Sequence, residues 1–199
     1  MRENILIRSS EGYKCYSTED ILTTKRVIWL DEMIDKAQAI CVINKLLYMD
    51  TESHEPIILC LHSSGGAIRE GLMIYDVMNC IQSPVYTIAM GDAKSMAAIL
   101  LAAGEKGKRF AMPSSKIMIH EPLLMQMHAT NVSEVIEIGE SMRLVKNNIN
   151  QILAERTGKT IDEINMDTKR DCILTPQEAI AYGLIDHIID GSMLYECFE

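Results

Sequence analysis

Three times in its first half the chain passes from a short apolar run through a turn into apolar residues at helical spacing. The runs fall at 26–30, 57–61 and 85–90. The middle one, Ile-Ile-Leu-Cys-Leu, has no polar interruption, as a strand covered on both faces requires. The spacing predicts a helix over 33–49, with Ile34, Ala37, Ile40, Cys41, Leu47 and Tyr48 as its apolar positions, and a second over 67–82, carrying Ile68, Leu72, Tyr75 and Ile81. A third, over 95–103, closes on Gly104 as its C′ residue. Strand, helix, strand, helix, strand, helix implies a stacked α/β architecture with mostly parallel strands. Ligands in such folds bind beyond the carboxyl ends of the strands.

Several chemistry-bearing residues sit at those ends. Ser95 lies at a strand-to-helix corner, where its hydroxyl projects beside N–H groups able to stabilise an oxyanion. It is placed either as a nucleophile or as the N-cap of a core helix. His62-Ser-Ser-Gly-Gly66 follows the second strand, and its glycine pair either lets backbone N–H groups approach a ligand or forms a simple turn. After a charged turn at 105–108 and a short strand at 109–112, the strand at 116–120 ends on His120. That histidine is distinguished from the other four by its position, although a lone histidine is more often a satisfied core or surface residue.

The remainder is readable in outline. Residues 4–8 form a short strand, 11–24 are polar and irregular, and 1–25 together read as an exposed N-terminal arm. A long amphipathic helix covers 131–157 and ends at Gly158; at about 40 Å it either projects toward another subunit or crosses the back of the domain. Thr160-x-x-Glu163 and Thr175-Pro176-x-Glu178 are capping boxes for two short helices, the second closed by Gly183, and 184–189 is a last strand.

Composition bounds the function. With 199 residues and 48% hydrophobic content, one domain spanning 1–199 is expected. A net charge of −9 with scattered basic residues argues against nucleic acid or an anionic membrane as partner. Six cysteines without a C-x-x-C pair indicate neither zinc nor a disulfide framework. The opening residues resemble neither a secretory signal nor a transit peptide, so a cytoplasmic protein is expected.

From about 26 to 189 these residues fall into a known order. Ser-x-Gly-Gly at 63–66, Gly-x-Ala-x-Ser-Met at 91–96 and Leu-Leu-Ala-Ala-Gly-x-Lys-Gly-Lys-Arg-Phe at 100–110 come first. Met-Ile-His-x-Pro at 118–122, Asp-Thr-x-Arg-Asp at 167–171 and Ala-x-x-Tyr-Gly-Leu-Ile-Asp at 179–186 follow. In this order and spacing the chain resembles the proteolytic subunits of the Clp protease family, ClpP. The resemblance implies a crotonase-like fold of stacked βα units with a projecting helical handle, here 123–157. It implies a serine endopeptidase with Ser95 as nucleophile, His120 as general base, Asp171 orienting the imidazole, and the Gly66 and Met96 N–H groups as oxyanion hole. It also implies a homo-oligomer of seven-membered rings, two of them stacked, or a ring mixed with a paralogue. Unfolded polypeptides would be fed to it by an AAA+ unfoldase that uses the ATP, with no cofactor or metal on the subunit itself.

Four positions depart from the family pattern. Lys94 precedes Ser95 where a small residue is usual, and could act as base in a Ser-Lys variant. The stretch 123–128 lacks the usual Gly-Gly, and Lys169 replaces an acidic residue beside Arg170. Cys60, Cys80 and Ile58 stand where aromatic residues often line the unfoldase-docking pocket. These leave a second reading, a weakly active or non-catalytic ring partner of another ClpP-type subunit. A third, a crotonase-like acyl-CoA enzyme, gives no reason for the Ser95, His120 and Asp171 set.

Overall fold

The computed structural model describes residues 4–9, 12–124 and 131–191. In chain order the elements are β1 (Asn4–Ser9), β2 (Gly12–Ser17), α1 (Thr18–Thr24), β3 (Val27–Leu30), α2 (Lys36–Glu52), β4 (Ile57–Ser63), α3 (Ile68–Cys80) and β5 (Val85–Lys94). Then come α4 (Met96–Ala102), β6 (Arg109–Ala111), β7 (Lys116–Ile119), α5 (Val132–Thr157), α6 (Ile161–Asp167), β8 (Cys172–Leu174), α7 (Pro176–Tyr182) and β9 (His187–Ile188). Strands β3, β4, β5, β6 and β9 lie side by side and parallel, while β7 pairs parallel with the distal end of β5 and antiparallel with β8. The expected α/β class with a largely parallel sheet is what the chain adopts.

Side chains alternate across the pleat and divide between two cores. Ile28, Leu30, Ile57, Leu59 and Leu61 face the larger core, covered by the apolar faces of α2 to α7. Val27, Ile58, Cys60, Ile88 and Phe110 face a smaller one, against which Leu22 of α1 packs. Burying each large aliphatic side chain is worth roughly 1.5–3 kcal/mol, so the helix-covered face carries most of the stabilisation. Cys60 has no exposed surface and so presents nothing to a partner on this chain, whereas Cys80 is exposed.

The structure corrects several expectations. The N-terminal segment is not irregular: β1 and β2 form an antiparallel hairpin, and Ser17 with Asp20 makes a capping box that starts α1. The hairpin is paired along its whole length, from Asn4 with Ser17 to Ser9 with Gly12, while Ile5, Leu6, Ile7, Tyr13 and Tyr16 remain exposed. In α2 the core face is Ala39, Val42, Leu46 and Met49, whereas the predicted Ile40, Cys41, Leu47 and Tyr48 face outward. Both faces are apolar there, so periodicity alone could not choose. Strand β5 runs four residues beyond its predicted end, through Gly91 to Lys94, and the last strand shrinks to His187–Ile188. Strand β8 carries no sequence signal and exists because β7 offers it an edge. The C-cap of α4 is Ala103, and Gly104 follows it without a left-handed backbone; its glycine is required because a Cβ there would lie 2.3 Å from Thr87 Oγ1.

Both predicted capping boxes form, and α5 runs from an Asn131 N-cap to a left-handed Gly158. All the buried residues of α5 fall between Ile149 and Leu153, and Val132, Val135, Ile136 and Leu144 are exposed. Of the predicted handle, residues 125–130 lie outside the described residues.

Candidate active site

Strand register assembles the site. Parallel pairing sets Lys94 against Met118, and the next amide, Ser95 N–H, donates to Met118 O at 2.8 Å. Antiparallel pairing sets Ile119 against Cys172, so the flanking residues, His120 and Asp171, fall opposite each other where the two strands end. Three segments far apart in sequence thus meet at one sheet edge.

The side chains close the arrangement. His120 Nε2 lies 2.8 Å from Ser95 Oγ, and His120 Nδ1 lies 3.2 Å from Asp171 Oδ1. The histidine side chain is 14% exposed, whereas the Asp171 carboxylate is 62% exposed. Ser95 makes no side-chain cap to α4, so its hydroxyl is committed to the imidazole, not to the helix. The Ser95 backbone has φ 53° and ψ −123°, a strained conformation for a residue with a side chain, costing about 1–3 kcal/mol. The corner is held by the Met118 bond behind it and by Gly65 beside it. A Cβ on Gly65 would stand 2.7 Å from Ser95 Cβ and 3.1 Å from Met96 N.

The glycine turn approaches because it is itself pinned. Ser63 Oγ donates to Glu32 O and accepts from Gly65 N–H, while Ile34 N–H donates to Gly65 O and Ala67 N–H to Ile34 O. Gly66 forms a bridge with Ile34, and a Cβ there would fall 2.3 Å from Ile34 O. Neither the Gly66 nor the Met96 N–H finds a protein acceptor among the described residues. These two donors, flanking a serine hydroxyl, are suited to negative charge on an acyl oxygen.

Lys94 directs its ammonium to Asp92 Oδ2 at 2.7 Å. Among the described residues, His120 is therefore the basic side chain in hydrogen-bond contact with Ser95 Oγ. Cys172, next to Asp171, is no competing nucleophile: burial, and then the carboxylates of Asp167 and Glu178, push its thiol up. No cluster of metal-ligating side chains is present among the described residues, and no described helix is long and apolar enough to cross a membrane.

Beside the serine lies a small apolar pocket of about 20 Å³, lined by Ile68, Met96, Ile99, Ile119, Pro122 and Ile149 with Ser95 and His120 at its rim. The sequence could not single out these liners, because each reads as one more core residue of its own element. Ile34 serves the glycine turn through backbone atoms only, and backbone atoms leave no mark on residue type.

Chemically, a hydroxyl held against an imidazole whose other nitrogen faces a carboxylate can be activated for attack on an acyl carbon. The comparisons with known proteins agree with such chemistry. The family model described as Clp protease matches residues 9–192. Over 187 residues the chain is 42% identical to the ATP-dependent Clp protease proteolytic subunit of Ligilactobacillus salivarius (strain UCC118), covering 93% of each chain.

Proposed function

Since this chain belongs to the Clp protease family, we propose that Ser95, His120 and Asp171 are the catalytic triad with which it hydrolyses peptide bonds. The chain is a serine-type endopeptidase, a proteolytic subunit of the Clp type. The observation that carries the assignment of residues is the continuous line from Ser95 Oγ through the His120 ring to Asp171, at 2.8 and 3.2 Å.

In the first half-reaction His120 Nε2 accepts the Ser95 hydroxyl proton as Oγ attacks the scissile carbonyl. The new charge on the carbonyl oxygen falls to the N–H groups of Gly66 and Met96, while Asp171 balances the imidazolium and keeps Nδ1 protonated. The imidazolium then gives its proton to the departing amine. Water, deprotonated by the same nitrogen, releases the acyl group and restores the serine. The apolar pocket receives the side chain on the acyl side of the cleaved bond, and its aliphatic lining, with no charged group besides His120, favours an apolar residue over a charged one.

The fold is read as the crotonase-like arrangement of this family, with 123–157 as its handle. Assembly into seven-membered rings, stacked in pairs or mixed with a paralogue, and delivery of unfolded polypeptide by an AAA+ ATPase complete the proposal. The exposed apolar residues at the start of α5 support a contact with another subunit. Lys169 and Arg170 are both exposed, and neither forms an ion pair with a described residue. Two adjacent cations there disfavour stacking against a second copy of themselves.

Ser95→Ala tests the triad: it should abolish labelling by an active-site phosphonate and hydrolysis of a short fluorogenic peptide, with an unchanged melting temperature. Labelling that persists at the native rate rejects Ser95 as nucleophile.

A further inference from the structure

The residue after the general base is tied to two other elements. Glu121 N–H donates to Thr168 O at 2.8 Å, and its carboxylate accepts from Lys146 Nζ of α5 at 2.5 Å. Thr168 is fully buried and anchored to Ile164 O through both its amide and its hydroxyl, three residues before Asp171. Lys146 lies three positions before Ile149, hence on the same face of α5, and Ile149 lines the pocket beside Ser95. Glu121 is thus a junction: its backbone holds the strand end of His120 to the loop of Asp171, and its side chain holds both to α5.

We propose that Glu121 and Lys146 are positioning residues, an ion pair through which α5 keeps His120 in register with Ser95. The inference rests on the triad proposed above. At 39% and 28% exposure the pair is too solvated to contribute much to stability, so a solely structural role predicts almost no effect of its loss. Geometry is a different matter. His120 follows the last residue of β7 and directly precedes Glu121, so the side-chain anchor of Glu121 limits how far the ring can drift from Oγ. Proton transfer tolerates little such drift. Neither residue touches the reacting atoms.

The test compares Glu121→Gln, Lys146→Met and the exchanged pair Glu121→Lys with Lys146→Glu, each in the assembled full-length protein, with Ser95→Ala as control. The readouts are phosphonate labelling rate, kcat and KM for a short peptide, melting temperature and sedimentation. Each single variant should lose about three- to tenfold in labelling rate and kcat, with KM and melting temperature unchanged, and the exchanged pair should recover most of the loss. Single variants that label at the native rate while Ser95→Ala does not would overturn the tether and leave the triad standing. A loss that tracks melting temperature or assembly and is not recovered by exchange would overturn it equally. Labelling that survives in Ser95→Ala would overturn the triad itself.

Discussion

Gly65→Ala probes how strictly the glycine turn holds the serine corner. Gly65 has φ +95°, where an alanine costs about 1–2 kcal/mol from backbone strain alone. Its new Cβ would also sit 2.7 Å from Ser95 Cβ and 2.8 Å from Lys94 O, against an ordinary contact of 3.4 Å or more. Neither atom can rotate away, because one is backbone and the other is fixed by it. Relieving the closer contact requires a shift of about 0.7 Å, shared between the turn and the corner, and a misplacement of 1 Å at a reacting group is enough to cost on the order of a hundredfold. The labelling rate and kcat should therefore fall about ten- to a hundredfold. Gly158→Ala is the matched control: its φ is +78° but nothing lies within 4 Å of its Cβ. It sits about 13 Å further along α5 from the pocket residue Ile149. This control should lower stability by about 1–2 kcal/mol and leave kcat unchanged. Phosphonate labelling and thermal melting of both variants decide the matter. Equal activity losses in the two, or native labelling by Gly65→Ala, would refute the close-packing account.

Three further outcomes are expected. Arg109 and Asp186 form a largely buried bidentate pair, with contacts of 2.6 and 2.9 Å, and Arg109→Leu should cost about 3–5 kcal/mol in urea unfolding at neutral pH by stranding the carboxylate. Burial alone would raise the Asp186 carboxyl, but the hydrogen bonds and charge of Arg109, with the Gly107 N–H, hold it below its ordinary value. Its stabilisation is therefore full above about pH 4 and lost as pH falls through the lower folded value, so the gap between native and variant should narrow on acidification; a widening gap would contradict this. Lys94→Ala should label within about twofold of the native rate, since its ammonium is held by Asp92; a loss near that of Ser95→Ala would restore the Ser-Lys alternative. The adjacent cations Lys169 and Arg170 should weaken homotypic ring stacking, and Lys169→Glu should strengthen it; sedimentation showing a salt-resistant double ring of the native chain at dilute concentration would count against this.

Legibility differed between levels of the structure. The strand and helix alternation, the two capping boxes and the Gly158 stop could be read directly, because each depends on residues within one or two turns of one another. The face of α2 could not, since apolar residues surround that helix and only contact with the sheet selects Ala39, Val42, Leu46 and Met49. Resemblance to the family, not residue spacing, pointed to Asp171, and nothing in the sequence pointed to Glu121 or Lys146. Each of these charged residues is unremarkable until a distant segment is brought beside it.

What the sequence determined by itself was the alternation of elements, and with it a parallel sheet whose strand ends would carry Ser95, Gly66 and His120. Only the tertiary structure decided the registers, Lys94 with Met118 and Ile119 with Cys172, that put hydroxyl, imidazole and carboxylate within bonding distance. The reason is physical. Periodicity and capping act through neighbouring backbone and side chains, whereas the register between strands separated by tens of residues is settled by how the whole sheet pairs its hydrogen bonds while filling both cores.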